Sequence, residues 1–348
     1  MDKSLPNRAI QWQPYTLRLL DQRSLPGCIQ FSTITTVQAA HAAIQTMVVR
    51  GAPAIGITAA YAVVLSAYAQ QDTAWPAACA AIEQDIVYLA TARPTAVNLD
   101  WALTRMRNCL HQHNHVTQAL DALQREAVAI HDEDVAANAK MAELGSAYIA
   151  QHSRVMTHCN AGALATGGIG TALGVIRQAH SQGKIEYVLA NETRPWLQGA
   201  RLTAWELAQE QIDVQLVCDS AAAAALQAHA VDWVIVGADR VAANGDAANK
   251  IGTLSLAIIT RHLGKKFMLV APVSSIDANT PDGAHIQIEH RPGREVTHIG
   301  DQHVSTPEVD AWNPVFDVTP AQLIDLLVTE KGVIEQPDKT KIAALLES

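Results

Sequence analysis

Apolar and polar positions alternate with a period of two over residues 9–20 and 28–32, on either side of a Ser-Leu-Pro-Gly turn at 24–27. That period sends successive side chains to opposite faces, so these stretches predict a short β-meander. From residue 36 to about 151 the spacing becomes helical, in alanine-rich amphipathic segments. Breaks are expected at Arg50-Gly51-Ala52-Pro53, at 73–76 and at Arg93-Pro94, where proline and glycine punctuate the pattern. Beyond residue 152 the rhythm changes again. Short apolar runs at 154–157, 186–190, 213–217, 232–236 and 266–271 read as strands. The stretches 160–179, 198–211, 220–228 and 250–263 between them read as helices, the first with a glycine-rich start. Strands alternating with helices indicate βαβ units and a parallel sheet. The pattern therefore predicts an α/β chain of two domains: 1–145, mostly helical with the short β-meander, and 146–348, a Rossmann-like parallel-sheet domain. A length of 348 residues suits two domains.

Composition narrows the function classes. A formal net charge of −9 disfavours nonspecific nucleic-acid binding, because no basic field attracts a phosphate backbone. It leaves room for a small phosphorylated ligand, which needs only a few local cations. The N-terminal residues show no apolar core of signal-peptide type, and no stretch is expected to span a membrane. The five cysteines are scattered without metal-ligand or redox-motif spacing, so disulfides are not expected and a reducing cytoplasm fits.

Ligands of open parallel sheets collect at the carboxyl ends of the strands, so the residues just after each strand are the candidates for chemistry. These are Thr157-His158-Cys159-Asn160-Ala161-Gly162, Asn191-Glu192-Thr193-Arg194-Pro195, Cys218-Asp219-Ser220 and Gly237-Ala238-Asp239-Arg240. Cys159 and Asp239, 80 positions apart, are both expected to open onto one crevice. Cys159 reads either as a small core residue or as a thiol activated at a helix start. Asp239 reads either as an acid or as a cap for the following turn. Gly167-Gly168-Ile169-Gly170 suits either backbone approach to a phosphate or close helix packing, and it lacks the spaced dinucleotide fingerprint, so no nicotinamide cofactor is expected. Arg50-Gly51-Ala52-Pro53 suits an anion cradle or an ordinary loop-to-helix junction. Asn249-Lys250 is expected to open a helix, and Lys250 suits either a phosphate contact or an ordinary solvated lysine. His111, His113 and His115 lack a fourth ligand of firm spacing and read as a solvated tract, so no metal is predicted.

Six segments in register resemble one family: RGAPAIG at 50–56, RPTAVNLDWAL at 93–103, THCNAGALAT at 157–166, NETRPWLQGARLTAWEL at 191–207, VGADRVAANGDAANKIGT at 236–253 and NPVFDVTP at 313–320. They resemble the methylthioribose-1-phosphate isomerase family, within the wider group that includes the regulatory subunits of translation factor eIF2B. The similarity runs from near residue 8 to near residue 335. The resemblance implies conversion of 5-methylthioribose 1-phosphate to 5-methylthioribulose 1-phosphate in methionine salvage, with Cys159 and Asp239 catalytic. It implies substrate contacts from Arg50, Gly51, Ala52, Arg93, Gln198, Asn249 and Lys250, no cofactor, and a homodimer with a helical N-terminal and a Rossmann-like C-terminal domain. Two rivals stay open at this point: a ribose-1,5-bisphosphate isomerase, and a non-catalytic subunit of eIF2B type. The first would need more cations in place of an apolar pocket for the methylthio group; the second would have no need of Cys159 and Asp239 together.

Overall fold

The structure is a computed structural model and describes residues 9–347. The expectation about a signal peptide therefore falls largely on residues outside those described. The chain divides into two compact units: Met1–Lys140 with Ala161–Gly174, and Met141–Asn160 with Val175–Ser348.

The first unit opens with an antiparallel sheet of β1 (Ile10–Gln13), β2 (Thr16–Leu20) and β3 (Phe31–Ile34), in that order. The alternating stretch 9–20 is a hairpin rather than one strand, because Pro14 and Tyr15 turn the chain, Tyr15 with φ 59°. Helices α1 (Val37–Gln45), α2 (Ala52–Ala69), α3 (Trp75–Ala90), α4 (Val97–Leu110) and α5 (Val116–Ser146) follow. Thr36 starts α1 by accepting the Ala39 amide on its Oγ1. Pro53 and Pro76 sit in the first turns of α2 and α3, where the missing N–H would have had no helical acceptor.

Helix α2 has no charged residue and packs against α1, α3 and α4, with both flanks buried. A helix apolar all round belongs in a core. It is also the exception to the expectation that no stretch reaches membrane-spanning length: it has 18 residues and mean hydropathy 1.5, but 83% of it is buried inside the protein. Gly56 permits the close approach of α2 to α4, since a Cβ there would lie 2.7 Å from the Asn98 carbonyl oxygen.

The second unit is built on β4 (Ser153–Thr157), α6 (Ala172–Ser181), β5 (Ile185–Asn191), a π-helical turn at Gly199–Thr203 running into α7 (Ala204–Gln209), β6 (Val214–Val217), α8 (Ala222–Ala228) and β7 (Trp233–Val236). After these come β8 (Arg240–Ala242), β9 (Ala247–Lys250), α9 (Thr253–His262), β10 (Lys266–Val270) and β11 (Ile276–Asp277). The chain ends with α10 (Arg294–Thr297), β12 (His298–Ile299), β13 (Gln302–His303), β14 (Phe316–Thr319), β15 (Leu326–Thr329), β16 (Gly332–Glu335) and α11 (Lys339–Glu347). Seven strands form one sheet in the order β16-β15-β10-β7-β4-β5-β6, parallel throughout except for the β15–β16 pair. Strands β7, β10 and β15 are buried on both faces, which is why they read as unbroken apolar runs. A smaller sheet has the order β11-β8-β9-β14.

Two sequence expectations are corrected. Residues 160–171 are an irregular loop, and the helix begins only at Ala172. Four glycines in that stretch would each have disfavoured a helix by roughly 1 kcal/mol. Lys250 ends a strand instead of opening a helix. The Asn244-Gly245-Asp246 turn makes a β8–β9 hairpin, and Gly252 at φ 101° separates β9 from α9.

Candidate active site

Strand order reverses between β4 and β7: β5 and β6 lie to one side, β7, β10 and β15 to the other. The carboxyl edge at such a reversal is where open parallel sheets bind ligands. Cys159 follows β4 there, and Asp239 follows β7, the adjacent parallel strand.

Cys159 is buried and has left-handed backbone, φ 65°, unusual for a residue with a Cβ. Such a conformation costs of order 1–3 kcal/mol and persists where its surroundings hold it. Here its N–H donates to Thr193 Oγ1 at 2.9 Å and its carbonyl accepts from Thr203 Oγ1 at 2.5 Å. Thr193 is itself left-handed at φ 63°, and the Thr193 and Arg194 amides donate to Asp219 at 2.8 and 2.7 Å. The polar Cys218-Asp219-Ser220 edge thus braces the turn beneath Cys159.

The residues flanking Cys159 are fixed from both sides. Asn160 Nδ2 donates to Glu206 at 2.7 Å, and Glu206, 0% exposed, accepts from Arg177 at 2.8 Å. Arg177 also donates to Glu210 at 2.6 Å. Burial works against the Arg177 charge, yet the two glutamates hold its pKa above the ordinary value. On the other side, His158 Nε2 meets the Ile251 carbonyl at 2.8 Å and Nδ1 meets Asn191 Nδ2 at 3.2 Å. Burial pulls the His158 pKa down, so the ring is neutral.

Ile251 follows β9, which carries the Asn249-Lys250 pair; both residues are buried. Asn249 Nδ2 donates to Thr253 Oγ1 at 2.9 Å. Lys250 Nζ donates to the Val315 carbonyl at 2.8 Å and lies 4.2 Å from the Phe316 ring centroid. Asp239, half-buried, is tied to the same hairpin through its amide, which donates to the Ala248 carbonyl at 2.9 Å. Asp317 on β14 accepts the Gly252 and Leu254 amides at the start of α9. Its burial outweighs those bonds and raises its pKa to about 6. Gln198 precedes the π-helical turn; it is 2% exposed, and its Oε1 has no hydrogen-bond partner among the described residues.

Four of the expected residues belong to the first unit. Arg50 is buried just before α2, Gly51 is the N-cap at φ 96°, and Ala52 is the first helical residue. A Cβ on Gly51 would meet Ala165 Cβ at 2.5 Å, so the position takes only glycine. The Ala54 amide is bonded to the Ala165 carbonyl and Pro53 has none, which leaves the Gly51 and Ala52 amides as the donors at this helix start. Arg93 is half-buried in the turn before α4. The Gly167-Gly168-Ile169-Gly170 loop takes the packing reading: α5 clamps it, with the Gly167 amide donating to Asp134 and the Gly170 amide to Asn138, each at 2.7 Å. His131 Nε2 meets the Gly167 carbonyl at 3.2 Å. His111 lies 2.9 Å from Glu83; among the described residues no group of three or more His, Cys, Asp and Glu could hold a metal ion.

Sequence reasoning assigned no role to Thr193, Thr203, His158, Asn191, Glu206 or Arg177. All but Arg177 lie in the quoted motif segments, which was the available signal.

The model of the initiation factor 2 subunit family matches residues 48–336. A curated methylthioribose-1-phosphate isomerase of Thioalkalivibrio sulfidiphilus is 56% identical over 342 residues, covering 98% of this chain and 97% of that protein. The crystal structure of 5-methylthioribose 1-phosphate isomerase from Pyrococcus horikoshii matches with a TM-score of 0.91 at 39% identity, covering 98% of this chain and 96% of the other. That of translation initiation factor eIF-2B subunit delta from A. fulgidus matches with 0.86 at 37% identity, covering 98% and 99%.

Proposed function

The chain belongs to the initiation factor 2 subunit family, and from that membership we infer that it is an aldose–ketose isomerase converting 5-methylthioribose 1-phosphate to 5-methylthioribulose 1-phosphate. One observation carries the reading: Cys159 and Asp239 follow the two adjacent strands at the sheet's reversal point, in a chain 56% identical along its length to a protein of that name.

The chemistry follows from the substrate. Its anomeric phosphate blocks spontaneous ring opening, so the C1–O4 bond breaks as O4 takes a proton. Hydrogen then moves from C2 to C1, and the C2 hydroxyl loses its proton as the ketone forms. No atoms or electrons are gained or lost overall, so the reaction requires no external oxidant or reductant. Asp239 is the proposed proton donor, and Cys159 the group that assists and stabilises the transition state. His158 is excluded from the acid role because its ring is neutral and both nitrogens are engaged. Arg50, the Gly51 and Ala52 amides, Arg93 and Lys250 are the proposed phosphate contacts, with Gln198 and Asn249 contacting the sugar. Guanidinium groups and helix-start amides suit a phosphate.

The same reading takes the parallel-sheet region as Rossmann-like, places the domain boundary at 145/146, and assigns the protein to the cytoplasm, to methionine salvage and to a homodimer. The test is to incubate the purified protein with 5-methylthioribose 1-phosphate and, separately, with ribose 1,5-bisphosphate, and to follow ketose formation by phosphorus NMR. Product from the first alone is expected. Product from the bisphosphate alone, or from neither, overturns the assignment. Light scattering is expected to give twice the mass of one chain.

A further inference from the structure

The carboxamide of Asn191 has one orientation. The Ile251 carbonyl can only accept, so the His158 Nε2 facing it at 2.8 Å carries the ring's proton. A neutral ring then has a lone pair on Nδ1, and the group facing it at 3.2 Å must donate. That group is therefore Asn191 Nδ2. The amide cannot be flipped without setting oxygen against a lone pair, so Oδ1 is directed away from His158.

Asn191 is 2% exposed, and its Oδ1 has no hydrogen-bond partner among the described residues. A buried acceptor left empty is costly, and buried polar groups are nearly always paired. Asn191 ends β5 at the carboxyl edge, one residue beyond Ala190, which pairs with Thr157 on β4. Its carbonyl accepts from Thr193 Oγ1 at 3.0 Å, the same hydroxyl that receives the Cys159 amide. Gly199 presses on it from the chain segment that carries Gln198, since a Cβ at 199 would meet the Asn191 carbonyl oxygen at 1.6 Å. Two buried amide oxygens, Asn191 Oδ1 and Gln198 Oε1, thus stand without donors from the described residues around the Cys159 turn.

We propose that Asn191 Oδ1 accepts a hydrogen bond from a sugar hydroxyl of the substrate, which makes Asn191 a substrate contact beyond those assigned above. The proposal rests on the isomerase reading. On 5-methylthioribose 1-phosphate the phosphate oxygens and the thioether accept, and only the hydroxyls on C2 and C3 offer strong donors. The contact therefore recognises hydroxyl rather than phosphate, and His158 acts as a positioning residue that sets its polarity.

The experiment measures, by calorimetry, binding of 5-methylthioribose 1-phosphate and of its 2-deoxy and 3-deoxy forms to wild-type protein and to Asn191→Leu, with Asn191→Ala as the alternative if the leucine variant is insoluble. Wild type is expected to bind one deoxy form at least about tenfold more weakly than the parent, as loss of a hydroxyl from a polar site implies. The variant is expected to bind that deoxy form and the parent within about twofold of each other. A variant that discriminates as wild type does overturns the contact, including the case in which all three ligands weaken alike because Asn191 only supports His158. Wild type that fails to bind the parent sugar phosphate overturns the isomerase reading, and this contact with it.

Discussion

Glu206 is the most informative residue to perturb outside the proposed catalytic pair. It accepts from Asn160, the neighbour of Cys159, and from Arg177, whose side chain is 10% exposed. Glu206→Gln keeps the shape but turns one accepting oxygen into an amide that faces a donor. The loss begins with one charge-assisted hydrogen bond, about 1.5–3 kcal/mol. It grows because the buried Arg177 loses the Glu206 carboxylate while keeping that of Glu210; breaking a buried pair by removing one partner costs about 3–5 kcal/mol. Glu206→Gln should therefore fall near 3 kcal/mol and Arg177→Met near 3–5 kcal/mol by urea unfolding. The double variant should lose at least about 1.5 kcal/mol less than the sum, because the buried charge of Arg177 is removed together with that of Glu206, while Glu210, 25% exposed, keeps access to water. Turnover of folded Glu206→Gln should drop roughly 10–100-fold, since Asn160 no longer anchors the Cys159 turn and small misplacements are expensive in rate. Strictly additive single variants, or a Glu206→Gln protein with wild-type turnover, would refute the view that this pair holds the turn.

Further outcomes follow from single sites. Asp239→Asn keeps shape and removes the acid, so turnover should fall roughly 10²–10⁴-fold with affinity close to wild type, and Cys159→Ser should also be slow without the two losses adding; steady-state and binding assays on the proposed substrate decide it. Gly56→Ala puts a Cβ 2.7 Å from the Asn98 carbonyl and should cost about 1–3 kcal/mol in urea unfolding, as overpacking does; a neutral result would mean α2 and α4 separate freely. Asp317 titrates near 6 when folded against 3.8 unfolded. Between those values the folded state holds the extra proton, so this group's contribution is present at pH 4 and is lost as pH rises through 6. The loss is about 3 kcal/mol at about 1.4 kcal/mol per pH unit. Asp317→Asn should therefore gain on wild type between pH 4 and 7, and parallel unfolding profiles would contradict it. Arg93→Ala should weaken substrate affinity by about 1.5–3 kcal/mol while leaving stability nearly unchanged.

The order of strands and helices was legible where the pattern is strong, as in the amphipathic α1, α3 and α4 and in the short apolar runs of β4, β5 and β7. It failed where local chemistry overrode the period. The stretch 160–171 has the apolar content of a helix, but its glycines pack against His131, Val135 and Asn138 of α5, contacts that no local pattern reveals. Lys250 looked like a helix start because the hairpin that makes β9 is specified by the Asn-Gly-Asp turn and by pairing with β14, 66 residues away in the Phe316–Lys250 match. Residues 273–335 hold only short strands, 3-10 turns and one four-residue helix, each too brief for a periodic signal. Strand-end logic singled out Cys159 and Asp239 as candidates because it depends only on topology, and the two do follow adjacent parallel strands. The residues that hold the Cys159 turn, Thr203, Glu206 and Arg177, come from a π-helical turn and from two helices, and only tertiary packing brings them there.

The first unit borrows Ala161–Gly174 from a point beyond residues that belong to the second. The Ala54 amide bonds to Ala165 there, and the α5 side chains Asp134 and Asn138 are satisfied by Gly167 and Gly170. During synthesis, then, the β1–β3 sheet and helices α1 to α4 emerge before the piece that completes their packing, and β4 is made in between. The apolar α2 must wait, uncapped at its amino end, for roughly another 35 residues. At synthesis rates of about 5–20 residues per second, that wait is a few seconds. A gene split at the apparent domain boundary would make the wait permanent: the amino-terminal fragment would carry a charge-free helix with its closing loop missing, and would be expected to aggregate unless the carboxyl-terminal fragment were supplied alongside it.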